Sequence, residues 1–144
     1  MGKDIPLAES DKTRPQDETN KIARLLLVED DKALRRYLEV TLERAGYEVV
    51  SAGDGLEAMK LALSTSVDLV ITDAMMPNLS GHELCRFLRN SPKLSHIPIV
   101  LLSGLERKDA GSDSGLADAF LPKPVAAEKL RECVAGLLAR KNRW

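Results

Sequence analysis

Four points along the chain carry side chains suited to phosphate chemistry, and each follows a short apolar run. Residues 25–28 read LLLV and lead into Glu29, Asp30 and Asp31. Residues 68–72, DLVIT, lead into Asp73; PIVLL leads into Ser103 and Gly104; AFL at 119–121 leads into Pro122, Lys123 and Pro124. Two carboxylates ~4 Å apart repel by about 4 kcal/mol at a near-surface effective dielectric. A rim that gathers these acids therefore needs a compensating cation. An oxygen-rich set without histidine suits Mg²⁺, which keeps several waters and binds together with phosphate groups. A hydroxyl and a lysine on the same rim are what phosphoryl oxygens require. Singly, each residue also has an ordinary use. Asp31 stands where a cap for the helix KALRRYL belongs, Ser103 suits a turn, and Lys123 suits a solvated surface.

The elements that must hold these residues alternate. Apolar runs at 25–28, 47–52, 68–72, 99–102 and 119–121 read as strands, and most are followed by a helical pattern. Leu34, Tyr37, Leu38, Thr41, Leu42 and Ala45 mark the first helix; Leu56, Met59 and Leu63 the second; Leu84, Phe87 and Leu88 the third; Leu130, Val134, Leu137 and Leu138 the last. Strands alternating with helices imply an α/β domain, a parallel sheet covered on both faces by right-handed crossovers. In such sheets ligands bind beyond the carboxyl ends of the strands, which is where the acids, the hydroxyl and the lysine fall.

The 144 residues suffice for one domain. With 21 Lys+Arg against 22 Asp+Glu there is no electrostatic footprint for nucleic acid or an anionic membrane. The expectation is a protein partner, with no nucleic acid and no membrane. Cys85 and Cys133 lack metal-ligand spacing and read as small core or surface residues of a cytoplasmic protein. His82 and His96 read as solvated surface residues. Residues 1–22 are polar and without periodicity, which suggests a flexible extension before a domain at 23–141.

LLLVEDD, LVITDAMMPNLSG, VLLSG and FLPKP, in that order, resemble the CheY-like receiver domains of two-component response regulators over residues 24–140. The resemblance implies a flavodoxin-like (βα)5 three-layer sandwich with a parallel five-stranded sheet of order 2-1-3-4-5. It implies that Asp73 accepts a phosphoryl group from the phosphohistidine of a sensor histidine kinase or phosphotransfer protein. Mg²⁺ would be held by Asp30 directly, by Glu29 through water, by Asp73 and by the backbone carbonyl of Met75. Ser103 and Lys123 would hold phosphoryl oxygens, with the Lys123–Pro124 bond cis. Ser103 and Phe120 would form the switch. The expectation is a single-domain regulator, monomeric or weakly dimeric, that catalyses its own phosphorylation and slow dephosphorylation without being a turnover enzyme.

The sequence also departs from that pattern. Residues 105–115, LERKDAGSDSG, contain Gly111 and Gly115 and almost no apolar stripe, which predicts a short or mobile helix there. In the receiver domains that the chain resembles, the residues two beyond the acceptor and two beyond the hydroxyl flank the line of water attack. Here they are the apolar Met75 and Leu105, which predicts a long-lived phosphoryl group. A dinucleotide-binding fingerprint is suggested by GDGLEA at 53–58, with Asp73 twenty residues beyond Gly53. Asp54 would face the pyrophosphate there, so it reads better as a helix cap, with Gly55 easing the turn. Two further classes are weaker. Haloacid dehalogenase-like phosphohydrolases use a D-x-D pair where this chain has Met75, and a purely structural module would not need the full set of acids, hydroxyl and lysine.

Overall fold

The computed structural model describes residues 21–104 and 116–141. In chain order these form β1 (Arg24–Val28), α1 (Lys32–Arg44), β2 (Glu48–Ala52), α2 (Gly55–Ser64), β3 (Leu69–Asp73), α3 (Gly81–Asn90), β4 (Ile99–Ser103), β5 (Ala119–Pro122) and α4 (Ala127–Lys141). All strand pairs are parallel and the sheet order is β2-β1-β3-β4-β5, the flavodoxin-like arrangement the motifs implied. The expected helix at 105–115 and most of the expected extension at 1–22 lie outside the described residues, as does Leu105. Among the described residues no helix is long and apolar enough to cross a membrane.

The continuous apolar strands are explained by burial on both faces, since alternate residues of a strand point to opposite sides. Leu26, Val28, Val70, Ile99 and Leu101 pack with Ala58 and Ala62 of α2 and with Leu84 and Leu88 of α3. Leu25, Leu27, Leu69, Ile71, Val100 and Leu102 pack on the other side with Leu38 and Leu42 of α1 and with Leu130, Val134 and Leu137 of α4. Three layers result, with two helices on each face of the sheet among the described residues.

Helix α2 departs from the expected stripe. Leu56 and Leu63 are 51% and 67% exposed, while Gly55, Ala58 and Ala62 are buried. Small residues make the fully buried face of this helix, with Met59 and Leu61 partly buried against the same core. A Cβ on Gly55 would stand 2.7 Å from both the Cβ and the carbonyl oxygen of Leu79, so this glycine serves a close approach and not the turn. Asp54 caps α2 by accepting from Glu57 N–H at 2.8 Å, which removes the dinucleotide reading of GDGLEA. Asp31 likewise caps α1, accepting from Leu34 N–H at 3.0 Å. Tyr37, counted in the α1 stripe, is exposed. His96 is exposed, but His82 is half-buried, and its Nδ1 is shielded from solvent.

At the far end of α3, Arg89 gathers four acceptors. Its guanidinium donates to the carbonyls of Ser95, Ile97 and Leu116 and pairs with Asp118 at 2.7 Å. Asp118 in turn accepts from Ile99 N–H at 2.8 Å. One side chain thus joins the end of α3 to the starts of β4 and β5.

Candidate functional site

The sheet register brings the strand ends level. Val28 lies beside Thr72, Asp73 beside Leu102, and Ser103 beside Pro122. Glu29, Asp73 and Ser103 are therefore neighbours on the carboxyl rim, each at least 95% buried, while Asp30 is exposed at its edge. Carboxylate oxygens of Glu29, Asp30 and Asp73 lie within 4.8 Å of one another. Lys123 reaches in from the turn after β5, placing Nζ 2.8 Å from Asp73 Oδ2 and 3.4 Å from Glu29 Oε1. Its amide donates to the Ser103 carbonyl at 2.8 Å, and the Lys123–Pro124 bond is cis.

The loop after β3 completes the setting. Met75 N–H donates to Asp73 Oδ1 at 3.2 Å, so both oxygens of this carboxylate have a donor. The Met75 side chain is 60% exposed at the mouth. Asn78 turns the loop with a φ of 73°, a conformation asparagine tolerates better than most residues. Ser80 and Glu83 then start α3 with a reciprocal capping box. Gly81 lies directly against the backbone of Asp73 and Ala74, and its amide donates to the Ala74 carbonyl at 3.1 Å.

Two buried oxygens on the rim lack a hydrogen bond among the described residues: Glu29 Oε1 and Ser103 Oγ. Lys123 stands at ion-pair distance from Glu29 Oε1 but gives its short hydrogen bond to Asp73. Burial is the main cause that pushes the Glu29 carboxyl up to about 7, and the Asp73 charge adds to it. The Asp31 amide and Lys123 act in the opposite direction. Burial works against the Lys123 charge, yet the bond to Asp73 and the attraction of both acids outweigh it, so Lys123 titrates above its ordinary value. One lysine does not neutralise two buried acids and a third at the edge. Hard oxygen donors with an unsatisfied buried oxygen fit Mg²⁺.

This imbalance fixes the sign of a pH effect. Without metal, the Glu29 of the folded chain holds a proton between its ordinary 4.5 and about 7, where the unfolded chain does not. Stability from this group is full below the lower value and is lost as pH rises through the upper one. In EDTA the melting temperature is expected to fall across this window. Added Mg²⁺ is expected to raise it most above the window and least below. Thermal melts with and without Mg²⁺ check this; an equal Mg²⁺ effect at both ends would contradict it.

Phe120 is half-buried on β5 opposite Leu101 and packs on the α2/α3 side of the sheet. Sequence reasoning missed two residues. Gly81 showed only as a small residue before a helix. Arg35 lies on α1, and its Nη1 donates to the Glu29 carbonyl at 2.6 Å. Its signal was a basic residue one turn beyond the Asp31 cap, too common a feature to single out.

A five-stranded parallel sheet of this order, with acids, a hydroxyl and a lysine on one rim, defines a class of signalling domain. The chain matches the response regulator receiver domain over residues 25–135, and it belongs to that family. It is 42% identical over 122 residues to the response regulator MprA of Mycobacterium sp. strain KMS, covering 83% of this chain and 52% of that protein. It is 37% identical over 123 residues to the DNA-binding dual master transcriptional regulator RpaA of Synechocystis sp., covering 83% and 51%. Among solved structures it resembles the response regulator TrrA of Thermotoga maritima, in complex with Mg(2+)-BeF. That likeness has a TM-score of 0.73 at 34% identity and covers 81% of this chain and 99% of that one.

The chain spans about half the length of the MprA and RpaA relatives it matches. This corrects the expectation of no nucleic-acid partner, because RpaA is a DNA-binding regulator. The balanced charge was a property of these 144 residues alone. It carries no information about the half of that relative with no counterpart here.

Proposed function

We propose that this chain is a cytoplasmic phosphoacceptor switch in which Asp73 takes a phosphoryl group from the phosphohistidine of a sensor histidine kinase or phosphotransfer protein. A carboxylate oxygen of Asp73 attacks phosphorus, the P–N bond breaks, and the imidazole leaves with the bonding pair. The observation that carries the reading is the surround of Asp73: Lys123 Nζ at 2.8 Å, with the unsatisfied Ser103 Oγ and Glu29 Oε1 on the same buried rim. Phosphoryl transfer needs positioning and charge neutralisation more than covalent help. Lys123 and the Ser103 hydroxyl supply donors for phosphoryl oxygens, and Met75 N–H orients the acceptor carboxylate. Glu29, Asp30, Asp73 and the Met75 carbonyl would hold Mg²⁺, which when bound neutralises charge on the transferring group.

Phosphorylation would then draw Ser103 Oγ and Lys123 toward new oxygens and alter the packing of Phe120 on the neighbouring strand, changing the surface offered to a partner protein. The receiver would catalyse its own phosphorylation and slow hydrolysis without being a turnover enzyme.

The test is intact-mass analysis after incubation with acetyl phosphate and Mg²⁺. The wild-type chain is expected to gain one phosphoryl group, and Asp73→Asn to gain none. Equal labelling of the two would place the acceptor elsewhere.

A further inference from the structure

Arg35 bears on the acid of the site that, among the described residues, accepts no side-chain hydrogen bond or ion pair. Its Nη1 donates at 2.6 Å to the carbonyl of the peptide that joins Glu29 to Asp30. The Glu29 side of that joint is already fixed. Its amide donates to the Ala52 carbonyl at 3.1 Å, its Oε2 accepts from Asp31 N–H at 3.1 Å, and its Oε1 faces Lys123. Asp30 is different: it is exposed, and among the described residues its carboxylate accepts no hydrogen bond. Its direction therefore follows from the peptide plane before it, and a charge-assisted hydrogen bond holds that plane. Gly53 borders this guanidinium, a Cβ there standing at ordinary contact, 3.4 Å from Nη1.

We propose that Arg35 is a positioning residue for the metal site: it clamps the Glu29–Asp30 peptide and so aims the Asp30 carboxylate at Asp73 before a cation arrives. This rests on the reading of Glu29, Asp30 and Asp73 as a Mg²⁺ site. Charge and positioning make opposite demands. A guanidinium beside the site repels an incoming cation, so its removal by charge alone tightens Mg²⁺ binding. Loss of a residue that orients a metal ligand weakens affinity, by about 10–100-fold in other sites.

Isothermal titration of the full chain with Mg²⁺ reads the sign directly. Arg35→Met is expected to bind about 10-fold more weakly than wild type, with an unchanged circular dichroism spectrum. Arg35→Gln, also neutral, is expected to do the same and decides the matter should the methionine variant misfold. Asp30→Asn supplies the reference for a lost ligand. If wild type binds no Mg²⁺, or Asp30→Asn binds as tightly, the metal-site reading falls and the clamp with it. If both references behave as expected and the neutral variants bind equally or more tightly, the clamp alone is overturned.

Discussion

Gly81→Ala is expected to cost about 3 kcal/mol of stability, the upper range for overpacking a filled site. It is also expected to depress phosphorylation of Asp73. The added Cβ would overlap the carbonyl oxygen of Asp73 and stand 2.9 Å from Ala74 Cα and 3.0 Å from the Asp73 carbonyl carbon. All three are backbone atoms of the strand end, so no side-chain rotation relieves the contact. Either α3 lifts, losing the bond from Gly81 N–H to the Ala74 carbonyl, or Asp73 shifts away from Lys123. Urea denaturation of the metal-free chain measures the first effect, and labelling by acetyl phosphate the second. A variant with the wild-type midpoint and labelling rate would refute the close packing of α3 on the acceptor.

The second large effect belongs to Lys123. In Lys123→Met the labelling rate at saturating Mg²⁺ is expected to fall about 10²-fold, as for removal of one preorganised donor to developing charge. Among the described residues Lys123 is the cation within 3.4 Å of both Asp73 and Glu29, and methionine removes its charge while keeping a side chain of similar length. The two acids left behind then depend wholly on the metal or on protons. The melting temperature in EDTA should therefore drop more at high pH than at low pH. A full labelling rate in this variant would show that the lysine balances charge in the resting state without assisting transfer.

The strands and the rim were legible because the code for them is short-range. A buried parallel strand needs a run of apolar residues, and what ends the run falls on the rim. Leu25 to Val28 and Glu29 follow that rule, as do residues 69–72 and Asp73. Separating Asp31 from its two neighbours was also within reach, since an N-cap has a local signature. Less legible were contacts between elements distant in sequence. Leu56 and Leu63 look like a buried stripe until the spacing between α2 and Leu79 is known, and then Ala58 and Ala62 become the inner face. Arg35, and Arg89 apart from its ion pair with Asp118, do their work through backbone carbonyls, which every residue has and no pattern marks. The partner expectation erred for another reason: it extended a charge balance beyond the residues over which it was summed.

The two-sided core ends where the acids begin, and this has a hereditary consequence. The side chains that hold the sheet together, such as Leu26, Ile71 and Leu101, and those that would carry the phosphoryl group occupy separate positions. Glu29 lies on the rim outside both apolar clusters, so its loss would spare their packing. A lineage could therefore retire the chemistry by single substitutions and keep the shape as a docking body. A lineage that changed shape would instead have to alter both faces of the sheet at once.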